Sequence, residues 1–483
     1  MPLSRRDVLA AASLLGIGSL LSGCTGVTSR GTRKEWHPGP GGALHRRGET
    51  GYEAWRRAMP WQGWVAPREP DCIVRPADRV QLGEALAHAR DAGQRVSVRS
   101  GGHNVAESFL RSSGMLVDLE HFRALRLEPG SNRAWVEPSL WGRDLLLALA
   151  PAGLAFPVAH CATVPMGGYL LGGGVGINTD SWGIGCHGIE SAEVMLASGE
   201  LVTAGAAGHE DLLWALRGAG TGFFGVVTAY RLRCPALPRD VRENVYVFPG
   251  ERSAEVVAWL SGIATRGLPD TEFMLLLARA PGPGAATLCI ARVVQFCASE
   301  AESLERIRIV RESPLAKQAL FREEHKAATL DSLMIGSVDA SRGLGFGRSH
   351  VNTIWTGDTP AAAAAAERVL ARSPSPKSHV VVSLRADVKR RADACFSAID
   401  HGFVGCYGIW DEAAEDAPNI AWSESARDAL QPFASGNYIN ELDAFSRPDL
   451  LPRCFAPEAF ERLRALRRRY DPEGLFHDFP GLS

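Results

Sequence analysis

Apolar positions recur at helical spacing between Pro76 and Ala92, where Val80, Leu82, Ala85, Leu86 and Ala89 fall on one face, with proline at the start and Gly93 just past the end. This predicts a helix. The pattern then changes to alternation over Arg95-Val-Ser-Val-Arg99, a strand that runs directly into Ser100-Gly101-Gly102-His103. The glycines of that loop let backbone approach a ligand closely. Short strands follow at Met115 to Leu119 and Ala134 to Glu137, then a helix at Trp141 to Ala150, then a strand pair within Gly188 to Leu201 about the turn Ser198-Gly199-Glu200. Strands and helices intermix up to Cys234-Pro235.

After Pro238 the strands lengthen, as at Thr287 to Phe296 and His379 to Leu384, and helices such as Ser299 to Arg311 separate them. Pro360 to Ala371, with its run of six alanines, is a further helix, and Thr359 is its expected cap. This half reads as a sheet with helices on one side. The tail from Ala456 to Arg469 places Phe460, Leu463 and Leu466 on one face of a helix that ends at Tyr470-Asp471-Pro472. A chain of 483 residues exceeds one ordinary core, so the expectation is an α+β protein of two domains.

Charge narrows the partners. The 52 Lys and Arg against 54 Asp and Glu leave a formal charge of -2, which supplies no basic field for nucleic acid. The ten cysteines form no CxxC pair and no cluster, so neither a zinc site nor a disulfide scaffold is indicated. Ser4-Arg5-Arg6-Asp7-Val8-Leu9 puts twin arginines before the apolar run Val8 to Leu21, too short for a membrane span and expected to be an export signal over residues 1–23. Leu21-Ser22-Gly23-Cys24 resembles a lipobox, leaving two readings: a lipid on Cys24 that anchors the protein to a membrane, or cleavage without lipid. Either way the expected location is periplasmic or extracellular. Residues 24–65 read as a Gly-, Pro- and Arg-rich linker and the start of the body, which begins near Trp55 to Trp64.

Gly220-Thr-Gly222-Phe-Phe-Gly225 fits the dinucleotide fingerprint GxGxxG, but that motif needs a strand before it and a helix after it, and here the order is reversed. Two other glycine-rich stretches survive. Arg99-Ser100-Gly101-Gly102-His103 offers successive backbone N–H groups suited to a pyrophosphate. Cys161-Ala-Thr163-Val164-Pro-Met-Gly167-Gly168, followed by Gly172-Gly173-Gly174, offers a second platform with a cysteine just ahead of it. Singly, each has a simpler reading as a tight turn or a close packing contact.

From Pro70 to Pro235 the chain resembles the flavin domain of the vanillyl-alcohol-oxidase superfamily, and within it the berberine-bridge-enzyme-like family. The residues that carry this are the loop at 99–103, Val117-Asp118-Leu119, Cys161-x-Thr163-Val164, the glycines at 167, 168 and 172–174, and Leu213-Trp-Ala-Leu-Arg-Gly218 leading into Gly225-Val226-Val-Thr228. Asn437-Tyr438-Ile-Asn440-Glu441 and Tyr470-Asp-Pro-Glu-Gly-Leu-Phe476 look like that family's closing signature. The resemblance implies a PCMH-type FAD-binding domain over residues 66–236. A substrate domain over 237–430 would hold an antiparallel sheet covered by helices, and a C-terminal segment over 431–483 would return to the first domain.

The resemblance further implies FAD held bicovalently, through His103 to the 8α-methyl and Cys161 to C6, with Asn104, Asn440 and the glycine platforms around it. The plainer alternatives are a core histidine and a buried free thiol. The implied reaction is oxidation of an alcohol-type small molecule: a sugar, an oligosaccharide or a natural product. Oxygen is the acceptor that the resemblance implies; a quinone or protein acceptor, or a binding lipoprotein without catalysis, are the alternatives. The family often has a tyrosine as base where Glu441 stands. In a regular strand Tyr438 and Asn440 would share one face and Glu441 the other, so Tyr438 and Glu441 are the two candidates. Val164 resembles the family's oxygen gate, while Pro165-Met166 replaces the usual Gly-Val.

Overall fold

The computed structural model describes residues 42–266, 268–280, 282, 284–334, 347–386 and 390–479. The expected signal at 1–23, Cys24 and most of the linker lie outside the described residues. The body begins earlier than the sequence suggests. Strand β1 (Ala43–Arg46) pairs antiparallel with β2 (Cys72–Arg75), and a short helix, Tyr52–Ala58, buries Tyr52 and Trp55. The linker reading missed it because four alternating residues among Gly, Pro and Arg carry little periodic signal.

The first domain is built on two sheets. In the smaller, β1 and β2 are joined by β3 (Val96–Arg99) and β4 (Met115–Asp118) in the order β1-β2-β4-β3, with β4 parallel to both neighbours. The expected helix lies between β2 and β3 as Arg79–Asp91, where the Asp78 side chain accepts from the Gln81 N–H and caps its first turn. The second sheet holds β5 (Leu125–Leu127), β6 (Arg133–Val136), β7 (Ile189–Met195), β8 (Leu201–Ala204) and β9 (Val226–Arg233) in the order β5-β6-β9-β7-β8. Gly220–Gly222 forms a short 3-10 turn between the helix Glu210–Leu216 and β9, so the reversed context of GxGxxG is the observed one.

The second domain is one seven-stranded antiparallel sheet in the order β13-β10-β12-β11-β15-β16-β14. Its strands are β10 (Asp240–Pro249), β11 (Thr271–Arg279), β12 (Thr287–Cys297), β13 (Phe321–Ala327), β14 (Arg348–Thr356), β15 (His379–Leu384) and β16 (Gly402–Trp410). One face packs Val380, Val382, Val404 and Cys406 against the helices Ser253–Ala264, Thr359–Leu370 and Asp416–Leu430. The other sends Val294, Phe296, Trp355 and Phe403 into the core of the first domain. The cap of Thr359–Leu370 is Asp358, whose carboxylate accepts from Ala361 N at 3.3 Å, and Thr359 sits one position inside the helix.

The C-terminal helix Pro457–Tyr470 leads the chain back to the first domain. There Val96 N–H donates to Leu475 C=O at 2.7 Å and His477 N–H to Val96 C=O at 2.8 Å. Under the His103 loop, the fully buried Asp118 receives Arg75 through two nitrogens at 2.8 and 2.6 Å and Arg99 at 2.7 Å. Two buried guanidiniums on one carboxylate hold the ends of β2, β3 and β4 together. Asp118→Ala removes the carboxylate that both guanidiniums share, and the unfolding free energy in urea is expected to fall by about 3–5 kcal/mol; a loss under ~1 kcal/mol, the range of exposed ion pairs, would show that the cluster carries no such weight.

Candidate active site

The two glycine-rich stretches meet. A Cβ on Gly101 would lie 2.4 Å from the Pro165 ring, and one on Gly167 would lie 2.8 Å from Ser100 Oγ. Both loops therefore touch through positions where only hydrogen fits. Gly102, at φ +72°, would place a Cβ 1.9 Å from the Met59 carbonyl, so it too serves close packing. Gly168 is different, because nothing lies within 4 Å of its missing Cβ. It faces open space beside the junction.

His103 and Cys161 project from the two loops toward a shared neighbour. His103 Nε2 is 3.0 Å from Thr163 Oγ1, and Cys161 Sγ is 3.7 Å from the same oxygen. The nucleophiles are separated by no more than these distances laid end to end. Trp61 stacks on the imidazole at 4.6 Å between centroids. Burial, with the charge of Arg99 adding to it, pushes the His103 pKa down to about 3, so the ring is neutral at physiological pH. Burial raises the Cys161 thiol and is offset in part by its hydrogen bonds to Thr163.

The Arg99 guanidinium is committed beneath this loop, to Asp118, to Glu120 at 3.2 Å and to the Met59 carbonyl at 3.0 Å. Ser100 C=O accepts from Ser139 Oγ at 2.9 Å. Val164 is partly buried, and its carbonyl accepts from Gly142 N–H at 2.9 Å. Gly225 would bring a Cβ within 2.8 Å of Val194, and Val226 is fully buried beside Met195. Both lie in the domain core.

The C-terminal signature reaches the second platform. Residues 437–441 are not a strand: Ile439–Glu441 is a 3-10 turn. Tyr438 and Asn440 nevertheless act together, since Asn440 Nδ2 donates to Tyr438 Oη at 3.1 Å and to the Tyr169 carbonyl at 3.3 Å. Val175 N–H donates to Tyr438 Oη at 3.2 Å, just beyond the triple glycine. Gly172 is needed there because a Cβ would fall 1.8 Å from Asn440 Oδ1. Gly173 and Gly174, at φ +108° and +88°, would meet the rings of Phe396 and Tyr169. Asn104 Nδ2 donates to the Asn440 carbonyl at 3.0 Å, linking the His103 loop to this turn. Tyr438 is packed edge-on among Trp355, Phe396 and Phe403, and burial raises its hydroxyl to about 12.

Glu441 turns to a partner that sequence reasoning missed. Tyr407 Oη lies 3.2 and 3.3 Å from the two Glu441 carboxylate oxygens. Tyr407 is the one partly exposed position of β16, whose other residues are buried, and that polar interruption of an apolar strand was its sequence signal. Burial raises the Glu441 carboxyl to about 7, with the Tyr407 hydrogen bond opposing. Tyr407 is itself pushed well above the tyrosine range, by burial first and the Glu441 charge second. His379 stacks on Tyr407 at 5.3 Å. A carboxyl poised near neutral pH against a phenol is an arrangement suited to proton transfer.

Residues 70–205 match the FAD binding domain family. The solved 6-hydroxy-D-nicotine oxidase of Arthrobacter nicotinovorans superposes with a TM-score of 0.78 at 20% identity, covering 92% of this chain and 98% of its own. The BBE-like 1 protein of Physcomitrella patens does so at 0.76 and 18%, covering 91% and 97%. The chain thus carries an FAD-binding domain within the fold of the berberine-bridge-enzyme-like flavoproteins. In sequence it is similar to the FAD-linked oxidoreductase nodO of Hypoxylon pulicicidum, 27% identical over 414 residues that cover 83% of this chain and 89% of the relative. It is an enzyme of that broad class, an FAD-linked oxidoreductase.

The residues at the junction fit the cofactor: an open position at Gly168, a neutral imidazole and a thiol converge where the loops meet. Gly172→Ala forces Asn440 away from the platform, and the purified protein is expected to lose most of its flavin absorbance near 450 nm relative to 280 nm while keeping its far-ultraviolet circular dichroism. Full flavin loading in that variant would show that Asn440 does not shape the site.

Proposed function

We propose that the protein is an exported oxidase of alcohol-type small molecules, with FAD attached through His103 and Cys161 and proton abstraction carried by the Glu441–Tyr407 pair. The observation that carries this reading is the convergence of His103 and Cys161 on Thr163 Oγ1 at 3.0 and 3.7 Å. Two nucleophiles so placed suit two attachment points on the same ring edge. Bound FAD would supply a hydride acceptor at N5, with oxygen as the proposed electron acceptor and hydrogen peroxide as the second product.

His103 is uncharged at working pH, so its ring nitrogen is available for bonding without prior loss of a proton. Cys161 must surrender its proton first, because its burial favours the thiol. The Glu441 carboxylate accepts the hydroxyl proton of the substrate, either directly or through the Tyr407 phenol held against it. Tyr438 orients rather than reacts, since its hydroxyl accepts from Val175 N–H and Asn440 and its ring is enclosed by aromatics. The small side chain of Val164, beside the junction, supports oxygen as acceptor. The twin arginines at 5 and 6 support export of the folded, cofactor-loaded protein, with Cys24 the residue for lipid attachment.

Acid precipitation is expected to leave the flavin with the protein, and peptide mass mapping to find it on both His103 and Cys161. His103→Ala and Cys161→Ala should each retain a single link. Release of all flavin by acid from the wild type refutes the attachment. In stopped-flow reduction by a panel of primary and secondary alcohols, with peroxide detection, Glu441→Gln should slow flavin reduction by about 10²–10⁴-fold. Because the carboxyl must be ionised to accept a proton, the wild-type rate should fall as pH drops through about 7. A flat profile between pH 5 and 9 in the wild type argues against Glu441 as base, a window of about two units either side of its pKa.

A further inference from the structure

Beside Glu441 lies a small cavity, with about 10 Å³ open to the centre of a water molecule, room for about one water. Its wall includes Thr353, Asn437 and Glu441, with Arg427 and Gln431 toward the surface. Thr353 Oγ1 and Asn437 Oδ1 have no hydrogen-bond partner within the protein, although the two residues are 5% and 2% exposed. Both can bond on their other sides: Asn437 Nδ2 donates to the Thr353 carbonyl at 3.1 Å, which fixes the amide with its oxygen unsatisfied. An orphaned acceptor at this depth costs about 1–3 kcal/mol unless something fills the space. Three lining residues that carry a hydroxyl, an amide oxygen and a carboxyl can supply the two to four polar partners that an internal water requires.

We propose that this cavity holds one ordered water that takes the proton collected by Glu441 and releases another toward solvent at Gln431, with Thr353 and Asn437 as the residues that position it. The inference rests on the reading of Glu441 as base. A proton taken from substrate has to leave the carboxyl before the next turnover, and Tyr407, already protonated, cannot take it; the proton released to solvent is balanced by the one that hydrogen peroxide formation takes up. The proton balance is simple. The Glu441 O–H breaks, the water gains that proton on a lone pair and loses one of its own outward, and the carboxylate is restored. The charged and titratable groups facing Glu441 are Tyr407 from β16, Tyr438 from its own turn and Arg427 from the helix Asp416–Leu430. Gln431 marks the exit, because Arg453 holds its side-chain oxygen at an exposed position, 2.9 Å away.

A crystal structure of the flavin-loaded protein should show a single water within hydrogen-bond distance of Glu441, Thr353 Oγ1 and Asn437 Oδ1. Thr353→Val removes the hydroxyl at nearly constant shape, and Thr353→Ser returns it. Infrared titration of the protonated Glu441 carbonyl band, assigned by its loss in Glu441→Gln, should give a midpoint higher by about one unit in Thr353→Val. Thr353→Ser should restore the wild-type midpoint, which a purely structural role would not require. An empty cavity in the wild type, or a midpoint unmoved in Thr353→Val, overturns the exit path. Undiminished flavin reduction by alcohols in Glu441→Gln overturns the base reading itself, whereas an inactive Glu441→Gln with an empty cavity overturns the exit path alone.

Discussion

The site depends on backbone approaching backbone and side chain more closely than any Cβ permits. Gly101 against Pro165, Gly167 against Ser100 and Gly172 against Asn440 are three contacts where a methyl group would fall at 2.4, 2.8 and 1.8 Å. The first two bring the His103 loop and the Cys161 loop together; the third brings the C-terminal turn down onto them. Without these approaches His103 would stand apart from Cys161 and Thr163. Below them the Arg75–Asp118–Arg99 cluster fixes the strand ends from which the first loop springs.

Chemistry is divided between the domains. The first supplies the proposed attachment residues, His103 on the loop after β3 and Cys161 on the irregular stretch after the 3-10 turn Ala150–Ala152. The second supplies Tyr407 from a sheet face and, through the returning turn, its partner Glu441. His160 in the first domain meets Glu272 in the second at 3.0 Å, and Arg385 in the second meets Thr179 in the first at 2.8 Å. These polar contacts register the domains, so the distance between the His103–Cys161 junction and the Tyr407–Glu441 pair is set by the packing of whole sheets rather than by any single loop.

Much of the first domain was legible because glycine spacing and short-period alternation are local signals. The loop at 99–103, the helix after Asp78 and the reversed GxGxxG context all follow from neighbours within a few residues. The relation between Tyr438 and Glu441 was legible only in its outcome. The two do part company, but a 3-10 turn separates them, and no strand does. Tyr407 stayed hidden because its pairing with Glu441 spans the join between a sheet strand and a distant turn, a contact no period encodes. Thr359 reads from sequence as the cap, one residue past the true one, since both residue types cap helices and it is the Asp358 carboxylate that accepts from Ala361 N–H. The strand at Ala43–Arg46 is held by cross-strand partners rather than by its own sequence.

The return of the chain to β3 has an effect on the order of events in the life of the protein. Val96 exchanges hydrogen bonds with Leu475 and His477, and Arg467 reaches the Phe476 carbonyl, so the sheet beneath the His103 loop is finished by residues far along the chain. Contacts this far apart in sequence form late and slowly. A first domain made without that segment therefore lacks part of its own floor, and the loop above it is fully supported only once the segment has docked. Assembly of this molecule is circular rather than linear: its first domain closes only when a sequence-distant segment comes back to it.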